Sequence, residues 1–184
     1  MKKTALIVIA NGSEDMETTT VTDIFDRAGI DVTVASVNEK TITTAHGLKI
    51  TAHKLLQECK DEKYDIITLP GGLKGAKNLR DSDFLKEKLY EQKKSGRIFA
   101  AICASPQVVL NEHGLLKDKK ATAYPGMTES LPNQAAVDQK VVVDGNCITS
   151  RGPGTAIAFA LTCVEQLLGK NKAQEVAKGL LVEW

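Results

Sequence analysis

Short apolar runs alternate with longer amphipathic stretches along the chain, and this rhythm predicts a fold before any single residue is weighed. Residues 6–10 form an unbroken apolar run, as in a strand covered on both faces. A turn over residues 12–17 follows, then a helix that carries Val21, Ile24, Phe25 and Ala28 on one face and stops at Gly29. Residues 31–37 predict a second strand, and residues 41–44 with 48–51 a small hairpin around His46 and Gly47. Leu55, Leu56 and Cys59 suggest a short helix. Residues 64–69 read as a third core strand, stopped by Pro70, Gly71 and Gly72, and residues 74–94 as a charged, broken helical region.

The next strand, residues 98–102, ends abruptly at Cys103, and residues 104–110 bring Val108, Val109 and Leu110 at helical spacing. Residues 121–124 predict a further strand before Pro125, and residues 141–143 with 147–149 a hairpin about Asp144, Gly145 and Asn146. A rigid turn from Arg151 to Thr155 leads into a helix over residues 155–168, and a last helix covers residues 172–181. Strands and helices in alternation with little spare loop predict an α/β fold, a mainly parallel central sheet between two helical layers. A chain of 184 residues is expected to form a single domain over 1–184.

Charge narrows the partners. Lys and Arg total 24 against 23 Asp and Glu, a formal charge of +1, which gives no basic face for nucleic acid. No run approaches the ~18–20 apolar residues of a membrane span, and the basic start at Met1, Lys2 and Lys3 precedes too short an apolar run for a signal peptide. A cytoplasmic protein with four free thiols is expected, without zinc-ligand spacing among Cys and His.

Of the four cysteines, Cys59, Cys147 and Cys163 read as small buried hydrophobes, whereas Cys103 sits on a short strand-to-helix turn. That turn lies at the carboxyl edge of the sheet, where open α/β folds bind ligands, and beside the free N–H groups of a helix start. Such a position predicts a thiol that ionises below its ordinary range. The loops at 12–17, 70–72 and 103–105 each follow a core strand and are expected to meet. Together they offer a thiol, carboxylates and backbone donors, the parts needed to attack a carbonyl and hold an oxyanion. Glu14, Asp15 and Glu17 all fall at a helix start, and spacing alone does not choose among them. Gly71 and Gly72 either make only a turn or also present N–H groups to an anion; Arg151 is either a surface side chain or an anion clamp.

Four ordered stretches carry a resemblance. Gly12-Ser13-Glu14-Asp15-Met16-Glu17, Leu69-Pro70-Gly71-Gly72, Ala100-Ala101-Ile102-Cys103-Ala104 and Thr149-Ser150-Arg151-Gly152-Pro153-Gly154-Thr155 resemble the ThiJ/PfpI superfamily in its DJ-one branch. The resemblance covers nearly the whole length. It implies a three-layer flavodoxin-like sandwich and a homodimer. It also implies a nucleophilic Cys103, a partner acid at Glu17, and N–H groups of Gly72 and Ala104 for an oxyanion, with Gly71, Tyr124 and Arg151 at the substrate.

Three departures matter. Tyr124 stands where vertebrate members carry a histidine, and a phenol is a poor base near neutral pH. Ala104 stands where the protease-like branch has a histidine, and no histidine follows His113, where related glutamine amidotransferases need one. The resemblance therefore implies a cofactor-independent and metal-independent glyoxalase or deglycase acting on small 2-oxoaldehydes (methylglyoxal, glyoxal) or their early adducts with thiols and amines. A reading of another class is an oxidative-stress sensor or redox-regulated chaperone, in which Cys103 becomes a sulfinate.

Overall fold

The computed structural model describes residues 2–184; Met1, read above as part of a basic start, lies outside them. Seven strands form one sheet in the order β5-β2-β1-β6-β7-β9-β8: β1 (Thr4–Ile9), β2 (Asp31–Ser36), β5 (Lys54–Leu55), β6 (Ile66–Leu69), β7 (Ile98–Ile102), β8 (Val141–Asp144) and β9 (Cys147–Ser150). All neighbours run parallel except β8, which returns antiparallel on β9 through the two-residue turn Gly145-Asn146. β3 (Thr41–Thr43) and β4 (Lys49–Thr51) make the separate hairpin.

Strand periodicity divides the core in two. Ile7, Ile9, Ile66, Ala100, Ile102 and Ile148 face α1 (Asp15–Arg27), α4 (Ala156–Leu168) and α5 (Lys170–Gly179), where Phe25 and Phe159 are fully buried. Leu6, Val8, Ile67, Leu69, Phe99 and Ala101 face α2 (Leu73–Arg80), α3 (Asp83–Lys94) and the segment after Cys103. Both faces of the central strands are covered, which is why they read as continuous apolar runs rather than alternating ones.

Four expectations change. Residues 121–124 run extended and mostly buried but join no ladder, because β9 already occupies the edge of β7 beside which they lie. Their polar groups bond sideways instead, with Thr122 N–H donating to Thr149 Oγ1 (3.0 Å) and Tyr124 N–H to the Cys103 carbonyl (2.8 Å). The helical segment after Cys103 is a π-helical turn over Pro106–Asn111 rather than a regular helix from residue 104. The last helix starts two residues early, at Lys170, directly after Gly169 at φ +89°. The short edge strand β5 lies in a stretch with no alternating pattern to announce it.

The β1 connection runs to β2 on one side, while β6 and β7 follow on the other, so the order in which strands are added reverses between β1 and β6. A crevice opens at such a point beyond the carboxyl ends of the strands. It is lined here by the loops after β1, β6 and β7. Gly72 shows how tightly they meet: it has φ +78°, and a Cβ there would stand 2.2 Å from the Gly12 carbonyl oxygen and 2.8 Å from Glu14 N. Gly72→Ala is expected to cost about 3 kcal/mol or to prevent folding. Gly179→Ala, with nothing within 4 Å, should change stability by less than ~1 kcal/mol. Equal melting temperatures for the two variants in a thermal scan would contradict this packing.

Candidate active site

Cys103 occupies the corner between β7 and the π-helical turn with φ +65°, a left-handed conformation rare outside glycine. The corner is held from both sides of its backbone. Cys103 N–H donates to the Ser150 carbonyl at 3.0 Å, and its own carbonyl accepts from Tyr124 N–H at 2.8 Å. Ser105, fully buried, donates its hydroxyl to the Pro70 carbonyl at 2.5 Å and so ties this corner to the loop after β6. The serine falls within a stretch singled out in the sequence, but nothing in its spacing announces the bond. Cys103 is half-buried and the other three cysteines are buried; all four are free.

The three acids of the first loop have three different surroundings. Glu17, in the first turn of α1, is fully buried, and its Oε2 accepts from Gly71 N–H at 2.6 Å. Its Oε1 is buried and has no hydrogen-bond partner. Asp15 accepts from the Thr44 hydroxyl and from His46 N–H (3.0 Å), and Glu14 Oε2 meets His46 Nε2 at 3.2 Å. The hairpin thus brings His46 to Glu14 and Asp15, a convergence that their distance along the chain conceals. The imidazole and the two carboxylates each have an atom within 4.8 Å of the others, the one such His/Cys/Asp/Glu group among the described residues; the imidazole pairs with Glu14, while Asp15 is bonded by the His46 backbone N–H and the Thr44 hydroxyl. Of the other two histidines, His53 Nδ1 accepts from Val34 N–H (3.1 Å), and His113 Nε2 is buried without a hydrogen-bond partner.

Gly71 is required by space rather than by backbone angle. A Cβ on it would lie 2.5 Å from Cys103 Cβ and 2.9 Å from Glu17 Oε2. Its N–H is spent on Glu17, so Gly71 supplies no oxyanion donor. The N–H groups of Gly72 and Ala104 do face the sulfur. Tyr124 is about half exposed and its ring lies against Gly152, while Arg151 reaches away from the sulfur to the Asp138 carbonyl at 3.1 Å. Tyr124 and Arg151 share a pocket whose lining does not include Cys103; the structure does not bring the guanidinium to the thiol.

Electrostatics couple the thiol to the buried acid. Burial pushes the Glu17 carboxyl up to about 7, against the hydrogen bond from Gly71, with the Glu14 charge adding to the rise. Burial and the neighbouring Glu17 charge push Cys103 up to about 12, against the N–H groups of Gly72 and Ala104. The helix start helps little: the helical segment opens with Pro106, which has no N–H to offer. Two groups this close titrate as a pair. The rise at Cys103 that comes from the Glu17 charge exists only while Glu17 is ionised.

The chain is similar to known proteins over most of its length. Residues 3–166 match the DJ-1/PfpI family. Protein dj-1beta of Drosophila melanogaster is 45% identical over the full length of both chains. Glutathione-independent glyoxalase DJR-1.2 of Caenorhabditis elegans is 35% identical, covering 97% of this chain and 96% of its own. The chain spans less than half the length of the Arabidopsis thaliana protein DJ-1 homolog B, 41%, at 44% identity over 96% of this chain. Among solved structures, oxidized Toxoplasma gondii DJ-1 superposes with a TM-score of 0.96 at 39% identity, covering 99% of this chain and 100% of that one. The chain belongs to the DJ-1/PfpI family, in its DJ-1 branch.

Proposed function

We propose that the chain is a cofactor-independent glyoxalase or deglycase in which Cys103 attacks a 2-oxoaldehyde, free or as an early thiol or amine adduct, and Glu17 moves the proton. One observation carries this reading: a fully buried carboxyl, bonded through Oε2 to Gly71 and with Oε1 unpartnered, stands beside the one cysteine that is not buried. The family contains a relative named as a glutathione-independent glyoxalase, which supports the substrate class.

With one proton shared between the two groups, two arrangements compete. A carboxylate would be met by Gly71 N–H and the S–H. A thiolate would be met by Gly72 N–H, Ala104 N–H and the protonated Glu17. Three donors on the charge against two favour the thiolate with the proton on Glu17. The thiolate adds to the aldehyde carbon of methylglyoxal, and the oxygen takes up negative charge facing the two N–H groups. Glu17 gives its proton to that oxygen and, now a carboxylate, carries the hydrogen of that carbon, as a proton, to the neighbouring ketone carbon, while the O–H proton passes to the ketone oxygen. The first carbon is oxidised to a thioester while the second is reduced to an alcohol. Water hydrolyses the thioester to a 2-hydroxy acid and frees the thiol. No outside oxidant or reductant enters the balance.

A second reading has its own observation: the accessible sulfur lies next to a carboxyl that is protonated near neutrality and so can donate to an oxidised sulfur. Thiolate and one peroxide give sulfenate and water; a second peroxide gives sulfinate and water. Mild peroxide should oxidise Cys103 stepwise and leave Cys59, Cys147 and Cys163 reduced. Peptide mass spectra showing all four oxidised together would overturn this reading.

For the enzyme reading, Cys103→Ala is expected to abolish conversion of methylglyoxal to lactate, and Glu17→Gln to lower kcat/KM by about 10²–10⁴-fold. Full turnover by Cys103→Ala would overturn it. The pH dependence follows from the raised carboxyl. Below the unfolded value near 4.5 both groups of the pair are protonated in both states, so burial carries no charge penalty; the penalty grows as pH rises to about 7, where the folded pair gives up one proton and buries one charge, and then levels off. Glu17→Gln should therefore be more stable than the parent above neutrality, by on the order of 3 kcal/mol at most, and equal to it in acid. A variant less stable at every pH would contradict the buried, raised carboxyl.

A further inference from the structure

Beside the thiol lies a second feature that attack on a free 2-oxoaldehyde does not use. A pocket of about 350 Å³ opens on the far side of Tyr124, lined by Tyr124, Lys140, Arg151, Gly152, Pro153 and Thr155 among others. Its place follows from strand register. Ile102 of β7 is level with Ser150 of β9, and Ser150 is level with Val141 of β8. The next residue beyond each of these strand ends is Cys103, Arg151 and Lys140. All three therefore stand in a row at one sheet edge, spanning two strand spacings, roughly 10 Å.

The charge of the pocket has one sign. Both ionic side chains in its lining are cations, and neither has an ion-pair partner among the described residues. Arg151 gives NH1 to the Asp138 backbone carbonyl, not to a carboxylate, which leaves the rest of its fork free. Lys140 is exposed and uses only its backbone carbonyl, as acceptor from the Ser150 hydroxyl (2.7 Å). The thirteen-residue helix α4 starts at the pocket wall after Thr155, with no acid in its first turn, and adds partial positive charge. The pocket is joined to the thiol by the bond from Tyr124 N–H to the Cys103 carbonyl, and the Tyr124 ring is seated on Gly152, where a Cβ would come within 3.4 Å.

We infer that this pocket is an anion subsite, and that the preferred substrates are reactive carbonyl compounds carrying a carboxylate or phosphate group several bonds from the carbonyl, held by Lys140 and Arg151 while the carbonyl meets Cys103. The inference deepens the reading of Cys103 as a carbonyl-attacking group and rests on it. Methylglyoxal itself fills only the thiol end; an adduct formed on a carboxylate-bearing thiol or amine, or a phosphorylated carbonyl compound, would span both.

Two maleimides with the same electrophile, 3-maleimidopropionate and its uncharged amide, test this without any turnover. The parent protein should alkylate at Cys103 about tenfold faster with the carboxylate, relative to the same ratio for a small free thiol in the same buffer. Lys140→Gln with Arg151→Gln should bring the ratio back to within about twofold of that thiol. Lys140→Gln alone keeps the Arg151 bond to Asp138 and must already give part of the loss. A parent ratio equal to that of the free thiol, a ratio unmoved by the double variant, or a Cys103 closed to both reagents would overturn the subsite. At matched ionic strength, stronger slowing by inorganic phosphate than by acetate assigns the phosphate class and the reverse assigns the carboxylate class; slowing by neither overturns it. Failure of the glyoxalase reading would appear separately, as absence of lactate.

Discussion

The backbone of Gly71 holds this site together. The Gly71 N–H donates to Glu17 at 2.6 Å and the Gly71 carbonyl accepts from Glu14 N–H at 3.0 Å, so this one residue fastens the start of α1 to the loop after β6 in both directions. The absence of a side chain then lets the Cys103 corner close down on the same residue. Strand order makes this possible, because β1, β6 and β7 are neighbours and their loops leave the sheet side by side. A left-handed cysteine, a glycine with no room for a methyl and a fully buried glutamate are each costly alone. They persist because the packed sheet fixes all three.

Chemistry follows from that geometry. A carboxyl removed from water and given one backbone donor keeps its proton to about neutral pH, and a thiol pressed against it cannot ionise independently. The pair behaves as one acid, with donors from Gly72 and Ala104 drawing the charge to sulfur. The same arrangement serves addition to a carbonyl and retention of an oxidised sulfur, so the two readings of the site share a single physical basis. The neighbouring row of Arg151 and Lys140 adds a directional field that favours negatively charged molecules at the mouth.

Much of this was legible in the chain. Apolar runs over residues 6–10, 64–69 and 98–102 mark the central strands because both of their faces are covered, and the turn residues after them mark the loops that meet. Tertiary competition explains the miss at residues 121–124, whose pattern suits a strand but whose place beside β7 is taken by β9. Local pattern does not show the thiol's proton-sharing partner, which lies 86 positions away, or that the helical segment after it opens on proline. Which of Glu14, Asp15 and Glu17 enters the crevice also lies beyond local pattern: all three are sound helix-start residues, and only the hairpin at His46 and the Gly71 peptide separate their roles.

The most direct measurement of the shared proton is infrared difference spectroscopy at mildly alkaline pH, comparing the parent protein with Cys103→Ala and Glu17→Gln. The account predicts a protonated-carboxyl C=O band that disappears in Glu17→Gln, together with no S–H band assignable to Cys103. A Cys103 S–H band in the parent, with Glu17 present only as carboxylate, would contradict it.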